Sequence, residues 1–211
     1  MSAVTCGVAT IRLLRRYGVT TVFGIPGVHT LDFYRGLSNG DVRHIQARNE
    51  QGAGFMAEGW ARATGQPGVA LVISGPGVTN ATTALGQAYA DSLPMLLLSA
   101  EPASESIGKG WGVLHEVTEQ KKVTAPLTAL SVTARRAADV PEYLAQAFTL
   151  FASGRPRPVH ISVPVDVQAE LVKEEWQPVV LPSRPYPRAT QIQAATSLLR
   201  GASAPLLLIG G

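Results

Sequence analysis

"GVALVISGPGVTNATTALGQAYADSLPMLLLSA", residues 68–100, decides the fold. It opens on an apolar run (68–74), turns through Ser-Gly-Pro-Gly, takes helical composition over 78–91, and returns to a second apolar run at 94–100. Two strands joined by a helix make a βαβ unit, which packs as a right-handed crossover between parallel strands. Both runs are apolar but for one serine each, as strands covered on both faces nearly are. The same order recurs on either side. Runs at 19–25 ("VTTVFGI"), 42–47 ("VRHIQA"), 127–133 ("LTALSVT") and 158–164 ("PVHISVP") supply four more strands, and helical patterns fit 5–17, 30–38, 50–64 and 138–153. The expectation is an α/β fold, a six-stranded parallel sheet with helices on both faces.

After about Asp166 the alternation stops, and "QPVVLPSRPYPRA" (177–189) has the proline content of an extended connector. The expected organisation is a sheet-bearing domain over 1–168, a Pro-rich linker over 169–189, and the start of a second α/β domain over 190–211. There "TQIQAATSLLRGASAPLLLIGG" reads as one helix and one buried strand that the chain does not continue. Hydrophobic residues are 45% and charged residues 16%, a low charge that leaves surface for an interface. The net charge of +3 is spread over short pairs such as Arg15-Arg16, Lys121-Lys122 and Arg135-Arg136, which argues against a nucleic-acid partner. Cys6 is the single cysteine, so an internal disulfide and a cysteine-based zinc site are excluded, and no secretory pattern opens the chain. Apolar runs such as "PLLLIGG" are too short to span a bilayer. A soluble cytoplasmic protein with neither membrane nor nucleic-acid partners is expected.

The turns "GIPG" (24–27), "ARNE" (47–50), "SGPG" (74–77) and "SAEP" (99–102) fall at the carboxyl ends of strands, where ligands of such sheets gather. Glu50 follows Asn49 where the free amides of a first helical turn favour a carboxylate, so by itself it reads as a cap. Ala53, Ala57 and Ala61 recur four apart with Gly52, Gly54 and Gly59 alongside, which lets backbone approach closely, from within or from a second chain. "SGPGVTN" (74–80) suits a phosphate turn but lacks the Lys-Ser/Thr pair of a P-loop and does not match G-x-G-x-x-G. An ordinary βα turn, a noncatalytic nucleotide- or flavin-binding module and an assembly domain all stay open on these residues alone.

Taken together, "VFGIPG" (22–27), "RNEQGAGFMAEGWAR" (48–62) and the run from Ser74 to Ala100 resemble, in order and spacing, a known domain. It is the pyrimidine-binding domain of thiamine diphosphate enzymes in the acetolactate synthase and 2-oxo acid decarboxylase superfamily. The similarity runs from about Thr5 to Val167, with "PVHISVPVDV" (158–167) at its close. The resemblance implies the thiamine diphosphate-binding fold, a 2-oxo acid substrate, a homodimer or homotetramer, and thiamine diphosphate with Mg2+. In that family a C-terminal domain not represented in these residues holds the diphosphate and the metal, so no metal ligand is implied here. The resemblance sets Glu50 against N1′ of the aminopyrimidine, where reversible proton exchange makes the exocyclic amine able to deprotonate thiazolium C2. It places Pro26 and Gly27 along the pyrimidine, Pro76 and Asn80 near the same ring or supporting Glu50, and Val28 and His115 toward the substrate.

Two departures bear on specificity. His115 in "GVLHEV" (112–117) stands where many acetolactate synthases have the Gln of Phe-Gln-Glu, and a histidine donates, accepts or carries charge near neutral pH. Asn49 replaces a His that often precedes the glutamate. "GIPGVHTLDFYRGL" (24–37) and "LHE" (114–116) are more similar to 5-guanidino-2-oxopentanoate decarboxylases than to biosynthetic acetolactate synthases. Glu101, Glu105, Glu116 and Glu119 are then candidates to meet a cationic tail, each otherwise a solvated loop or helix charge.

Overall fold

The computed structural model describes residues 3–183 and 186–209. In chain order it contains β1 (Val4–Thr5), α1 (Cys6–Arg16), β2 (Thr21–Gly24), α2 (Leu31–Leu37), β3 (Arg43–Gln46), α3 (Glu50–Thr64), β4 (Gly68–Val72), α4 (Pro76–Ala90), β5 (Met95–Glu101) and α5 (Gln120–Thr124). There follow β6 (Leu130–Thr133), α6 (Asp139–Ala152), β7 (Val159–Pro164), α7 (Val165–Ala169), β8 (Leu171–Val172) and α8 (Ala189–Gly201), with 3-10 turns at Val28–Thr30 and Ala125–Leu127. All six expected strands form and pair in parallel in the order β3-β2-β4-β5-β7-β6.

Period-two alternation divides each central strand between two cores. Val69 and Leu71 of β4 and Leu96 and Leu98 of β5 join residues of α1, α2 and α6, among them Leu14, Phe33 and Phe148. Ala70, Val72, Met95 and Leu97 face the other way, onto Ala53 and Ala57 of α3 and Ala81 and Ala84 of α4. Each fully buried leucine of β5 contributes roughly 1.5–3 kcal/mol. The second core is thin because its helices carry small residues. A Cβ at Gly54 would lie 2.7 Å from Ala84 Cβ, and one at Gly68 would lie 1.9 Å from the Ala57 carbonyl oxygen. The Ala53-Ala57-Ala61 stripe is therefore closed within the chain, while Phe55 and Met56 stay exposed on the outer side of α3.

The chain winds from β2 outward to β3 on one side and from β4 to β5 on the other, so its direction along the sheet reverses between β2 and β4. The loops leaving those two adjacent strands are split apart at such a reversal, and a crevice opens at their carboxyl ends.

Sequence patterning missed a small antiparallel ribbon, in which Val4 pairs with Val172 and Thr5 with Leu171. The first part of the expected linker is thus tied to the sheet-bearing unit. Trp176 packs against the first core, Arg16 pairs with Glu175 and donates to Gln177 Oε1 at 2.8 Å, and the Val179 amide donates to Tyr17 Oη at 3.2 Å. Its apolar contacts are too few to show a period. Helix α8 forms as read and buries no residue. The strand expected in "APLLLIGG" is a correction: the described residues 202–209 form none, and Leu206, Leu207, Leu208 and Ile209 are exposed. An apolar run becomes a strand only when a neighbour takes its amides and carbonyls, and among the described residues none does. Gly210 and Gly211 lie outside the described residues. No described helix is long and apolar enough to cross a membrane.

Candidate active site

The crevice at the reversal is bridged by side chains from both loops. His29, in the 3-10 turn after β2, shares a 2.7 Å hydrogen bond between its Nδ1 and Ser74 Oγ, in the turn after β4. Its main-chain carbonyl accepts from Gln168 Nε2 at 3.0 Å, and Gln168 is itself buried. Desolvation, with His115 adding to it, lowers the His29 pKa below the ordinary histidine value. The adjoining turn presents Pro26 and Val28 to solvent, with Gly27 packed so closely on β4's continuation that a Cβ there would lie 2.4 Å from Ile73 Cγ2.

Glu50 is the first residue of α3, but the cap belongs to its neighbour. Asn49 is extended (φ −154, ψ 146) and its side-chain oxygen accepts from the Gln51 amide at 2.8 Å. That satisfies the helix end. Glu50 is left to turn toward α4, where Asn80 Nδ2 donates to Glu50 Oε2 at 2.9 Å. Asn80 sits in the second turn of α4, which begins at Pro76 after Gly75, so the positive ends of two helices converge on one carboxylate. Oε1 of Glu50 has no protein partner among the described hydrogen bonds. The pair lies at the carboxyl edge of the sheet, half-buried at Glu50 and exposed at Asn80 and Pro76.

His115 approaches from the loop between β5 and α5. Its backbone is left-handed (φ 59), its carbonyl oxygen lies 2.2 Å from where a Gly75 Cβ would stand, and its Nδ1 is buried without a partner. The imidazole meets that of His29 edge-on, with ring centroids 5.8 Å apart. The structure thus brings together His29, Ser74 and His115 on one side and Glu50 with Asn80 on the other. No hydrogen bond among the described residues links the two groups.

The loop carboxylates sort differently from the expectation of a shared cationic site. Glu116 accepts from the amides of Gly110, Gly112 and Val113 at 2.9, 2.6 and 3.2 Å, so it builds its own loop. Glu119 pairs with Lys122. Glu101 is buried with one oxygen unpartnered, and desolvation raises its pKa above the ordinary glutamate value. Only Glu105 of the four is exposed. His29 went unnoticed in the sequence; its one signal was position, two residues beyond the Pro26-Gly27 turn. No His, Cys, Asp or Glu cluster able to hold a metal occurs among the described residues.

The chain is similar to known proteins over most of its length. A family model described as "Thiamine pyrophosphate enzyme, N-terminal TPP binding domain" matches residues 4–124. A probable 2-ketoarginine decarboxylase of Pseudomonas aeruginosa is 54% identical over 209 residues, covering 98% of this chain and 37% of that protein. The large subunit of acetolactate synthase isozyme 1 of Escherichia coli K12 is 36% identical over 204 residues, covering 95% of this chain and 36% of its own length. A glyoxylate carboligase of Escherichia coli O157:H7 is 38% identical over 208 residues, covering 96% and 34%. The chain spans little more than a third of the length of these relatives.

Proposed function

The chain belongs to the thiamine pyrophosphate enzymes, and on that premise we propose that it is the pyrimidine-binding, cofactor-activating part of a 2-oxo acid decarboxylase. The observation that carries this reading is the Asn80–Glu50 hydrogen bond of 2.9 Å at the converging ends of α3 and α4. The residues fit the group. A carboxylate fixed by one oxygen, with the other unpartnered, is the acceptor that a protonatable ring nitrogen requires, and Asn49 has already relieved it of capping. When bound, thiamine diphosphate supplies an electron sink for the carbanion that loss of carbon dioxide leaves.

The chain's own residues account for the rest. Glu50 accepts and returns a proton at its free oxygen, Asn80 fixes the plane in which it does so, and Pro26, Gly27 and Pro76 form the walls against a flat heterocycle. Val28 and His115 lie toward the substrate. Diphosphate and Mg2+ would be held by residues outside this chain. We take the substrate to be 5-guanidino-2-oxopentanoate, which is 2-ketoarginine, because a 54% identical relative is named for that decarboxylation. Exposed Phe55 and Met56 on α3 suit a homodimer or homotetramer, and the single cysteine suits the cytoplasm.

The test is carbon dioxide release by the full-length protein given Mg2+, thiamine diphosphate and either 5-guanidino-2-oxopentanoate or pyruvate. Preference for the guanidino acid supports the reading. Acetolactate formed from pyruvate would favour the carboligase chemistry for which the 36% identical relative is named. No turnover of either with cofactor bound would overturn both.

A further inference from the structure

Beneath the Ser-Gly-Pro-Gly turn lies a line of buried polar side chains that the chemistry above does not use. On β7, the face toward the first core is Val159, Ile161 and Val163, but the opposite face carries His160 and Ser162, both fully buried. Ser99 of β5 and Gln120 and Thr124 of α5 are buried against them. Buried polar groups are costly unless each finds a partner, so the hydrogens of this cluster can be assigned.

Both ends of the cluster are backbone groups of fixed role. At one end the Gly75 amide, which can only donate, lies 2.7 Å from Gln120 Oε1. At the other, the Lys121 carbonyl, which can only accept, lies 2.8 Å from Ser131 Oγ. Gln120 Nε2 must therefore donate, to the Ala100 carbonyl at 2.7 Å and to the serine pair, with Ser162 Oγ at 2.8 Å and Ser99 Oγ at 3.1 Å. Ser162 then donates to Ser99 Oγ at 3.0 Å, and Ser99 to His160 Nε2 at 2.8 Å. Across the ring, Nδ1–H donates to Thr124 Oγ1 at 2.7 Å, and Thr124 to Ser131 Oγ at 2.8 Å. The two serines can exchange order, since Ser162 Oγ also lies 3.2 Å from His160 Nε2, but either order runs toward the ring: a proton on Nε2 would leave one of the two hydroxyl hydrogens with no acceptor, and flipping the Gln120 amide opposes its NH2 to the Gly75 N–H. One direction satisfies every link.

We propose that these six side chains form a single one-directional hydrogen-bond relay, with His160 fixed as its Nδ1–H tautomer, and that Gln120 is the positioning residue that anchors the Gly75 turn. Gly75 leads directly into α4, which carries Pro76 and Asn80, and Asn80 holds Glu50. Gln120 also begins the helix that ends the His115 loop. One buried amide thus ties both segments of the crevice to the carboxyl ends of β5 and β7. Burial lowers the His160 pKa to about 3, consistent with a neutral ring in this role. The link from the turn to cofactor affinity rests on the function proposed above; the relay itself does not.

The tautomer is read by long-range proton–nitrogen NMR of protein labelled with 15N in its histidine rings, His160 being assigned by loss of its signals in His160→Asn. A neutral Nδ1–H ring is expected, and an Nε2–H or cationic ring at neutral pH overturns the relay. In Gln120→Met, hydrogen exchange at the Gly75 amide should rise about tenfold or more, the equivalent of one ordinary hydrogen bond. Thiamine diphosphate affinity of the full-length protein should fall about tenfold. Unchanged exchange at Gly75 overturns the anchoring, and faster exchange with unchanged affinity overturns the positioning role. If Gln120→Met does not fold, the wild-type tautomer still decides the relay. Absence of thiamine diphosphate binding by the wild type would sink the proposed function alone, since tautomer and exchange are measured without cofactor.

Discussion

Gly75→Ala tests the junction on which the crevice depends. Gly75 has φ 55 and ψ −107, and an alanine Cβ there would lie 2.2 Å from the His115 carbonyl oxygen and 3.0 Å from its carbonyl carbon. Two costs add. Holding a non-glycine residue in so sparse a region costs about 1–3 kcal/mol. The clash is with backbone, and that backbone cannot swing away freely, because Glu116 gathers the neighbouring amides of Gly110, Gly112 and Val113. Forced displacement of packed groups adds about 1–3 kcal/mol. Gly18→Ala separates the two, since Gly18 also has positive φ (91) but nothing within 4 Å of its added Cβ. Urea denaturation of both variants, followed by far-UV circular dichroism, should show Gly75→Ala less stable than Gly18→Ala by roughly the clash alone, about 1–3 kcal/mol. The His115 ring resonances should shift in the first variant and stay put in the second. Equal losses, with His115 unmoved, would mean that the loop does not lie against the turn and that the crevice as described is wrong.

Glu50→Gln keeps an acceptor for Asn80 and leaves Asn49 as the cap, so unfolding should lose only the charge–dipole contribution, about 1 kcal/mol, while cofactor C2–H exchange slows by roughly 10²–10⁴-fold. NMR-detected C2–H/D exchange at the wild-type rate, with cofactor saturating, would remove Glu50 from the mechanism. His160 makes stability depend on pH in a set direction: its pKa is lowered from 6.5 to about 3 in the folded chain. Its contribution is complete above the unfolded value, and as pH falls toward the folded value the unfolded chain takes up a proton that the folded one refuses. That loses on the order of 1.4 kcal/mol per pH unit. Denaturation across this range should show a shallower slope in His160→Asn, and an imidazole signal in the folded wild type that titrates near the ordinary value would refute it. Gly54→Val, whose Cβ meets Ala84 at 2.7 Å, should cost about 1–3 kcal/mol by thermal unfolding, whereas Gly59→Val, on the same helix with nothing within 4 Å of the added Cβ, should be nearly neutral. Tolerance of Gly54→Val would contradict the apposition of α3 and α4.

Most of the fold was legible because the two faces of the sheet demand apolar residues along most of its central strands. Val69 to Val72 and Met95 to Leu98 are buried without exception, a pattern that surface strands do not produce. The edges were harder. Val4–Thr5 and Leu171–Val172 form a ribbon of two residues a side, too short to carry any period, and the exposed run at 206–209 shows that apolar composition alone does not make a strand. At the site, Glu50, Pro26, Gly27, Pro76, Asn80, Val28 and His115 were proposed through family resemblance and not from their own patterning. Gln120, His160 and Ser162 were passed over because a buried polar residue looks like a solvated one until its partners are located, and apart from the Ser162–His160 contact those partners lie 20 to 63 positions away. Two of the four loop glutamates gave the opposite impression: Glu116 and Glu119 look free in the sequence and are committed to amides and to Lys122.

The helix of glycine and alanine that follows the lone carboxylate is explained by what it lets the carboxylate reach. Asn80 is five residues into α4 and Glu50 is the first residue of α3, so their 2.9 Å bond needs the two helices to run close from their first turns. Gly54 against Ala84, and Ala53 and Ala57 against β4 and α4, give that closeness, because no side chain longer than a methyl separates the backbones there. Asn49 is the second condition. Had the helix end needed Glu50 itself as its cap, the carboxylate would have been folded back onto the amides of its own first turn. With the cap one residue earlier, the carboxylate is held from the side by a neutral amide, in the field of two helix termini, and keeps one oxygen without a protein partner among the described hydrogen bonds. The sequence "RNEQGAGFMAEGWAR" therefore encodes its chemistry in the residues around Glu50: Asn49 frees it, the small residues bring Asn80 to it, and replacing either support would leave the glutamate in place without its geometry.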